Sequence, residues 1–298
     1  MADAAKKKKK SAAEVQKELR ELSTPEERPP VDLKKIYRNI AIVVAIVWVI
    51  ALIAPWWPAK AIAGVLTVVA AVAAVWLNRY VKKTAALGAL LKSADSEEGR
   101  KKALEQIDAQ FKKSDTQALI AKAQLQLQDD PRAALATLES INVDKELGPI
   151  AGQVRAMRAM IHLQLGELPE ARALADKLEL GKQQEPKTRV MFAAVAGEAW
   201  ARTGQAKKAV DTLELFNPED PEMGEMRAQL WRARAFAYAA TSDTKATARA
   251  VKKLAEMNPH LLGMFIGQKK VHPLLEREAK QVVMRMGVVP RKMVRQKM

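Results

Sequence analysis

The sequence predicts an all-α protein, a transmembrane helical hairpin followed by an α-solenoid of helix pairs. Three observations predict it. Two apolar runs, 40–57 and 61–77, carry no ionisable side chain and are separated only by Pro58, Ala59 and Lys60. A turn residue, Asp129, Gly166, Gly204 and Ser242, recurs at intervals of 37, 38 and 38 residues. The net charge of +16 is also unevenly placed: residues 115–268 are neutral, whereas 1–38, 39–114 and 269–298 carry +4, +5 and +7. Excess cations flank the repeated region on both sides, where attraction to an anionic surface would act.

Residues 1–38 form a basic N-terminal tail, with Lys6 to Lys10 in one block and prolines at Pro25, Pro29 and Pro30. Low apolar content and charge blocks predict that it is largely disordered. A secretory signal peptide does not fit, because the leader is too long, the apolar run exceeds a signal core and a second run follows at once.

The hairpin occupies 39–80. At 1.5 Å per residue each run spans roughly 26 Å, close to the hydrocarbon thickness of a bilayer. A pair of core helices in a soluble protein would carry a polar stripe that is missing here. Lys34, Lys35 and Arg38 precede the first run and Arg79, Lys82 and Lys83 follow the second, while the turn offers only Lys60. The positive-inside bias therefore predicts two spans with both termini cytoplasmic, most simply at a bacterial inner membrane. Tyr37, Trp76 and Tyr80 would mark the near interface, and Trp56 and Trp57 the far one. Pro55 and Pro58 break the helix at the turn. Ala59, Ala63, Thr67 and Ala71 recur every four residues, with Ala70 and Ala74 beside them, a small-residue stripe suited to the first span or to a second copy of the chain.

Residues 81–114 read as a membrane-proximal helical linker with a polar break at 93–98. Ala103, Leu104, Ile107 and Phe111 fall on one helical face, and Lys101, Lys102, Lys112 and Lys113 on the other.

The repeat domain with its capping helices covers 115–286. Five residues after each turn stand Ala134, Ala171, Ala209 and Thr247, and twelve after it Ile141, Leu178, Phe216 and Leu254. Rings at His162, Trp200 and Tyr238 precede the last three turns by four residues, and Ala159, Gly197 and Ala235 precede them by seven. A small residue lets one helix approach its partner, and a ring fills the space one turn later. No single pair can bury its apolar face, so neighbours must stack. After Pro259 an apolar segment, 260–266, and a helix with Leu274, Leu275, Ala279, Val282 and Val283 inward are predicted to close the stack.

Stretches 196–218 and 234–259 resemble tetratricopeptide repeats, whose usual period is about 34 residues. The likeness covers about half the chain, and the second unit closes on Gln183 where proline is expected. It implies a right-handed stack of helix hairpins with a concave face that binds a protein segment. Mapped on that face, the candidate lining is Gln153, Met160, Glu198, Arg202, Gln229, Arg232 and Phe236. The clamp by which some members of that family grip chaperone tails is missing, since Ala156, Met160, Val195 and Ala233 stand at its polar positions.

Residues 287–298 are a basic C-terminal tail in which Arg291, Lys292, Arg295 and Lys297 meet no acid. Anionic lipid, nucleic acid or solubility alone would each account for it. The chain has no cysteine, which excludes disulfides and thiolate metal sites. His272 and Glu276 share i,i+4 spacing but lack a third ligand, and 263–270 lacks the glycine spacing of a phosphate loop. The expectation is a non-enzyme without cofactor or metal: a membrane-anchored scaffold that holds a protein partner in its groove. The alternatives are a nucleic-acid or ribosome docking factor acting through the basic tails, and an assembly subunit of a membrane complex.

Overall fold

The computed structural model describes residues 33–53, 57–183, 185–224, 226–267 and 271–287, and every regular element among them is helical. The N-terminal tail to Asp32, the turn residues Pro55 and Trp56, and the basic tail with Arg291, Lys292, Arg295 and Lys297 lie outside the described residues. The chain divides into two compact units between Asp129 and Asp130, inside the first repeat read from the sequence.

The first unit contains α1 (Leu33–Ile53), α2 (Trp57–Lys92), α3 (Glu97–Gln110) and α4 (Thr116–Asp129). Helices α1 and α2 run antiparallel, as two ties show: the Tyr37 hydroxyl donates to the Ala74 carbonyl at 3.4 Å, and Trp48 Nε1 donates to Thr67 Oγ1 at 2.9 Å. The less exposed positions are Tyr37, Ile40, Val44, Val47 and Ala51 on α1, and Ala63, Thr67, Ala70, Ala74 and Leu77 on α2. Both series alternate steps of three and four, the spacing of a coiled-coil seam. The predicted stripe of small residues therefore drifts. Each four-residue step overshoots a full turn by about 40°, so Ala71 faces outward and Ala70 and Ala74 take over. The Thr67 hydroxyl donates to its own Ala63 carbonyl at 2.8 Å, satisfying its polarity within the helix.

Away from the seam the pair is unpartnered: Ile53 is 78% exposed, and Val65, Val68 and Val72 are each 63% exposed. Among the described residues one helical stretch, Lys60–Lys92, is long and apolar enough to cross a membrane, while the apolar part of α1, Tyr37–Ile53, is shorter.

Helix α2 does not stop where its apolar run ends. It continues for 36 residues in all, about 54 Å. Trp76 stacks on Tyr80, with ring centres 5.6 Å apart, and the Tyr80 hydroxyl accepts from Gln117 Nε2 at 2.9 Å. Lys83 pairs with Asp115, which also accepts from the Ala118 N–H and so caps α4. The break falls at 93–96, and Ser96 starts α3 by accepting from the Gly99 N–H. Ala103 and Ile107 then pack with Leu87, Ala118, Ala121 and Leu125, flanked by Leu104 and Phe111. Arg100 grips Asp129 through two nitrogens at 2.9 and 2.6 Å. The segment 81–114 is thus built into a small helical core with α4.

The second unit contains α5 (Pro131–Glu139), α6 (Gly148–Leu165), α7 (Leu168–Ala175), α8 (Pro186–Arg202), α9 (Ala206–Leu213), α10 (Met226–Ala240), α11 (Thr244–Met257) and α12 (Pro273–Met286). Short 3-10 turns fill the connections, the longest being Pro259–Phe265. Helices α6, α8 and α10 pack on one another in turn, and α7, α9 and α11 each pack on the helix before them.

Three of the turns share one geometry. Gly166, Gly204 and Ser242 adopt φ of 73°, 85° and 61°, and the following N–H returns to the carbonyl of His162, Trp200 and Tyr238 at 2.8, 2.8 and 2.9 Å. This is a left-handed C-terminal stop, which favours glycine because a Cβ crowds the backbone there. Five residues on, Ala134, Ala171, Ala209 and Thr247 have no exposed surface. At Gly197 the approach is closer still, since a Cβ would stand 2.7 Å from Leu213 Cγ.

Polar ties join successive pairs. Arg158 donates to the Leu138 and Ile141 carbonyls, and Arg234, at the equivalent position two repeats on, donates to Leu213 and Phe216. Both serve carbonyls at the end of a second helix, as added donors to Leu138 and Leu213, which already accept from the Ile141 and Phe216 N–H groups. The intervening equivalent is Ala196, and there Trp200 Nε1 donates to Asp176 instead, at 2.7 Å, with Lys208 3.7 Å from the Trp200 ring centre. At Gln183, where the repeat pattern expects proline, the carbonyl accepts from buried Arg189. His162 is buried at its ring position and its Nδ1 lies 2.7 Å from Glu167, which also pairs with Arg132. The end is closed by Leu262, Phe265, Leu275 and Ala279, all fully buried.

Two outcomes follow from these contacts. Ser242→Gly relieves the left-handed strain and is expected to add about 0.5–1 kcal/mol, whereas Gly197→Ala overpacks Leu213 and is expected to remove about 1–2 kcal/mol; urea midpoints check both. Acid weakens the stack as well. The hydrogen bond from His162 and the charge of Arg132 hold Glu167 below the usual carboxylate range. Burial alone would raise Asp176, but Arg172, Trp200 and Lys208 outweigh it and lower it. A carboxylate depressed in the folded state contributes stability above its unfolded pKa and loses it as pH falls through the folded value. Melting temperature should therefore drop between neutral pH and about pH 3, and Asp176→Asn should flatten that acid limb.

Candidate partner-binding groove

Counted back from each turn, the first helices present one face at steps of two, six, ten and thirteen residues, and the seven predicted lining residues all lie on it. The structure brings four of them together. Glu198 of α8, only 5% exposed, accepts through one oxygen from Arg202 Nη1 at 3.0 Å and from Arg232 Nη2 of α10 at 2.9 Å. The same Arg202 nitrogen donates to the Leu163 carbonyl at 3.0 Å, at the end of α6. Its guanidinium lies 4.9 Å from the Phe236 ring centre, and Phe236 meets Phe265 edge to face at 5.3 Å. Three successive first helices and the closing segment are thus tied through one polar node.

Beside this node opens a cavity of about 570 Å³, walled by the end of α6 from Leu163 to Gly166, by Arg202, Arg232 and Phe236, and by Met264, Gly267 and Val271. The remaining predicted residues stand apart from it. Gln153 and Met160 lie on α6, half-buried, with Met160 packed against the core. Gln229 lies one turn before Arg232, its Oε1 buried with no hydrogen-bond partner among the described residues. Met264, Gly267 and Val271 were missed by the periodic pattern because they follow the last repeat. Their signal is local, a glycine at each end of an apolar stretch.

The three histidines have local tasks. His162 belongs to the stack, His260 is exposed with its N–H bonded to Asn258, and His272 starts α12 by accepting from the Leu274 N–H. Glu276 bonds Lys280 and the Gly267 N–H. Neither the histidines nor Glu276 lines the groove cavity, although Gly267, which Glu276 holds, is part of its wall.

No protein-family model matches the chain, no curated protein matches it, and no solved structure matches its fold. The class that the elements themselves define is an all-helical protein with an exposed apolar helix pair and a stack of helix pairs.

Glu198 carries the node electrostatically. Removing it leaves two partly buried guanidiniums beside the cavity without their carboxylate, so Glu198→Ala is expected to destabilise the chain by about 1–3 kcal/mol, read as a lower denaturant midpoint.

Proposed function

We propose that the chain is a membrane-anchored scaffold whose helix pairs, similar to tetratricopeptide repeats, hold a protein partner at the membrane surface. The observation that carries this is the exposed apolar surface of α1 and α2. In the most apolar 18-residue window of Lys60–Lys92 only 6% is buried. Water cannot tolerate that much contiguous apolar surface, whereas a bilayer solvates it. Helix α1 is shorter, but paired with α2 through the 3,4 seam it is read as the second span. The cations flanking the pair, Lys34, Lys35 and Arg38 before it and Arg79, Lys82 and Lys83 after it, support a cytoplasmic side for both ends by the positive-inside bias. The concave face of the stack, with its cavity and polar node, is the partner site. Tethering raises the partner's local concentration, so modest groove affinity suffices.

The test uses the full chain in sealed vesicles of known orientation. The protein should resist alkaline carbonate extraction. A C-terminal tag should be cut by protease only when the cytoplasmic side is outward. A photoreactive residue at Met160, on the groove face, should give a discrete adduct in the membrane fraction that one at exposed Lys207 does not. Extraction by carbonate, or a tag exposed on the opposite side, would overturn the reading.

A further inference from the structure

We propose that the turn between α3 and α4, carrying Lys112 and Lys113, is a binding site for the phosphate of anionic phospholipids, set against the aromatic face of α2 at the membrane surface. This rests on α2 spanning the bilayer, and it adds a charged lipid contact to the apolar one.

The depth of the turn is set by two side chains of α2. Its apolar run ends at Leu77, and Tyr80 and Lys83 stand about 4.5 and 9 Å beyond it along the axis. Headgroups fill roughly 5–8 Å on each side of the hydrocarbon, so these two residues bracket them. They are also the residues that hold the turn: the Tyr80 hydroxyl accepts from Gln117 Nε2 at 2.9 Å, and Lys83 pairs with Asp115. The Lys112 carbonyl accepts from the Asp115 N–H at 2.9 Å, which closes the turn with Lys112 and Lys113 exposed on it. Helix α3 starts after the break at 93–96 and ends at this turn, so it runs back along α2 toward the bilayer. Lys101 and Lys102, near its start, therefore stand about 15 Å farther out, more than a Debye length away. Of the four lysines that share one face in the sequence, only Lys112 and Lys113 reach the headgroups.

Charge and shape both suit an anionic headgroup. Asp108 and Asp115, the acids that flank the two lysines in sequence, are already engaged: Asp115 by Lys83 and the Ala118 N–H, and Asp108 by Lys122 at 2.6 and 2.8 Å. Lys112, Lys113 and exposed Arg79 form no ion pair among the described residues. Trp76, Tyr80, Lys83 and Leu87 follow one another at steps of four, three and four, so Trp76 lies on the α2 face below the turn. That face points about a third of a turn away from the seam with α1, and Trp76 is 65% exposed on it. The indole, stacked on Tyr80, offers an apolar wall at the interfacial depth where tryptophan settles. A phosphate in this corner meets cations from above and rings from the side. A zwitterionic lipid brings its own ammonium, so the site prefers a headgroup of net negative charge.

The experiment places a photoreactive residue at Ser114, exposed in the same turn, in the full-length chain within vesicles of equal phosphatidylglycerol and phosphatidylcholine. Lipid adducts are counted by mass spectrometry. Phosphatidylglycerol adducts should outnumber phosphatidylcholine adducts by about fivefold or more, the factor that one lysine near an anionic surface contributes. Lys112→Gln combined with Lys113→Gln should cut that ratio severalfold, and added salt should shrink it. Lys101→Gln combined with Lys102→Gln makes the same change of charge and should leave the ratio unaltered. A photoreactive residue at Lys102 should give no lipid adduct. The comparison of the two lipids with all four lysines present needs no lysine variant to fold. Equal adducts of both lipids, no lipid adduct from the Ser114 position in a chain that resists carbonate, or a ratio untouched by the Lys112 and Lys113 changes overturns the site and leaves the anchor standing. A chain that carbonate extracts overturns both.

Discussion

Close approach of helices through small residues is the constraint on which the rest of the structure depends. Ala134, Ala171, Ala209 and Thr247 are wholly buried, and Gly197 removes even a methyl group so that Leu213 can sit against the backbone of α8. Bulkier residues at these positions would push each pair apart, and the rings and leucines one turn away would lose the contacts that make up the core. The left-handed turns at Gly166, Gly204 and Ser242 serve the same end, since they return the chain at one fixed angle three times over. The same economy of side-chain size operates between α1 and α2, where Ala51 and Ala63 are the buried members of the seam.

Around that apolar core the polar groups serve as connectors. Arg158, Arg189, Arg227 and Arg234 all donate to carbonyls at the ends or connections of neighbouring elements. Such carbonyls lie at or beyond the point where the helical ladder runs out, and a buried one left open destabilises the fold. Arginine suits the task because its fork reaches across a helix interface and serves two acceptors at once. The cations of 115–268 are matched by an equal number of carboxylates, and the surplus lies in other parts of the chain.

Much of this was legible in the residues. Three of the four turns in the 37- and 38-residue register, Gly166, Gly204 and Ser242, are left-handed stops, and its small positions are buried, because burial selects residue size at fixed spacing. Half-legible was the stripe on the second apolar run: counting by fours found Ala63 and Thr67 but also Ala71, which the helical pitch turns outward. The groove node was found in part. Glu198, Arg202, Arg232 and Phe236 come from mapping the tetratricopeptide resemblance onto the first helices, yet the convergence of Arg202 and Arg232 on one oxygen of Glu198 depends on the distance between α8 and α10, which no spacing along one helix encodes. The wall supplied by Met264, Gly267 and Val271 was hidden for another reason, since it comes from a segment with no period to read. The helical character beyond the apolar run and its break after Lys92 were legible; that the run and its extension form one unbroken helix through Arg79, Lys82 and Lys83 was not, because the end of an apolar run resembles the end of a helix.

That continuity has a mechanical consequence. Helix α2 is a single shaft whose one end carries the seam with α1 and whose other end carries Leu87 in the core with α3 and α4. Each residue of an α-helix turns the shaft by about 100° and advances it by about 1.5 Å. The number of residues between Leu77 and Leu87 therefore sets an azimuth as well as a length. One residue more or fewer would swing the Leu87 face, and the α3–α4 bracket fastened to it, about a quarter of a turn around the shaft. In that sense α2 works like a keyed axle, and the side of the shaft that the α3–α4 bracket occupies is written into its residue count.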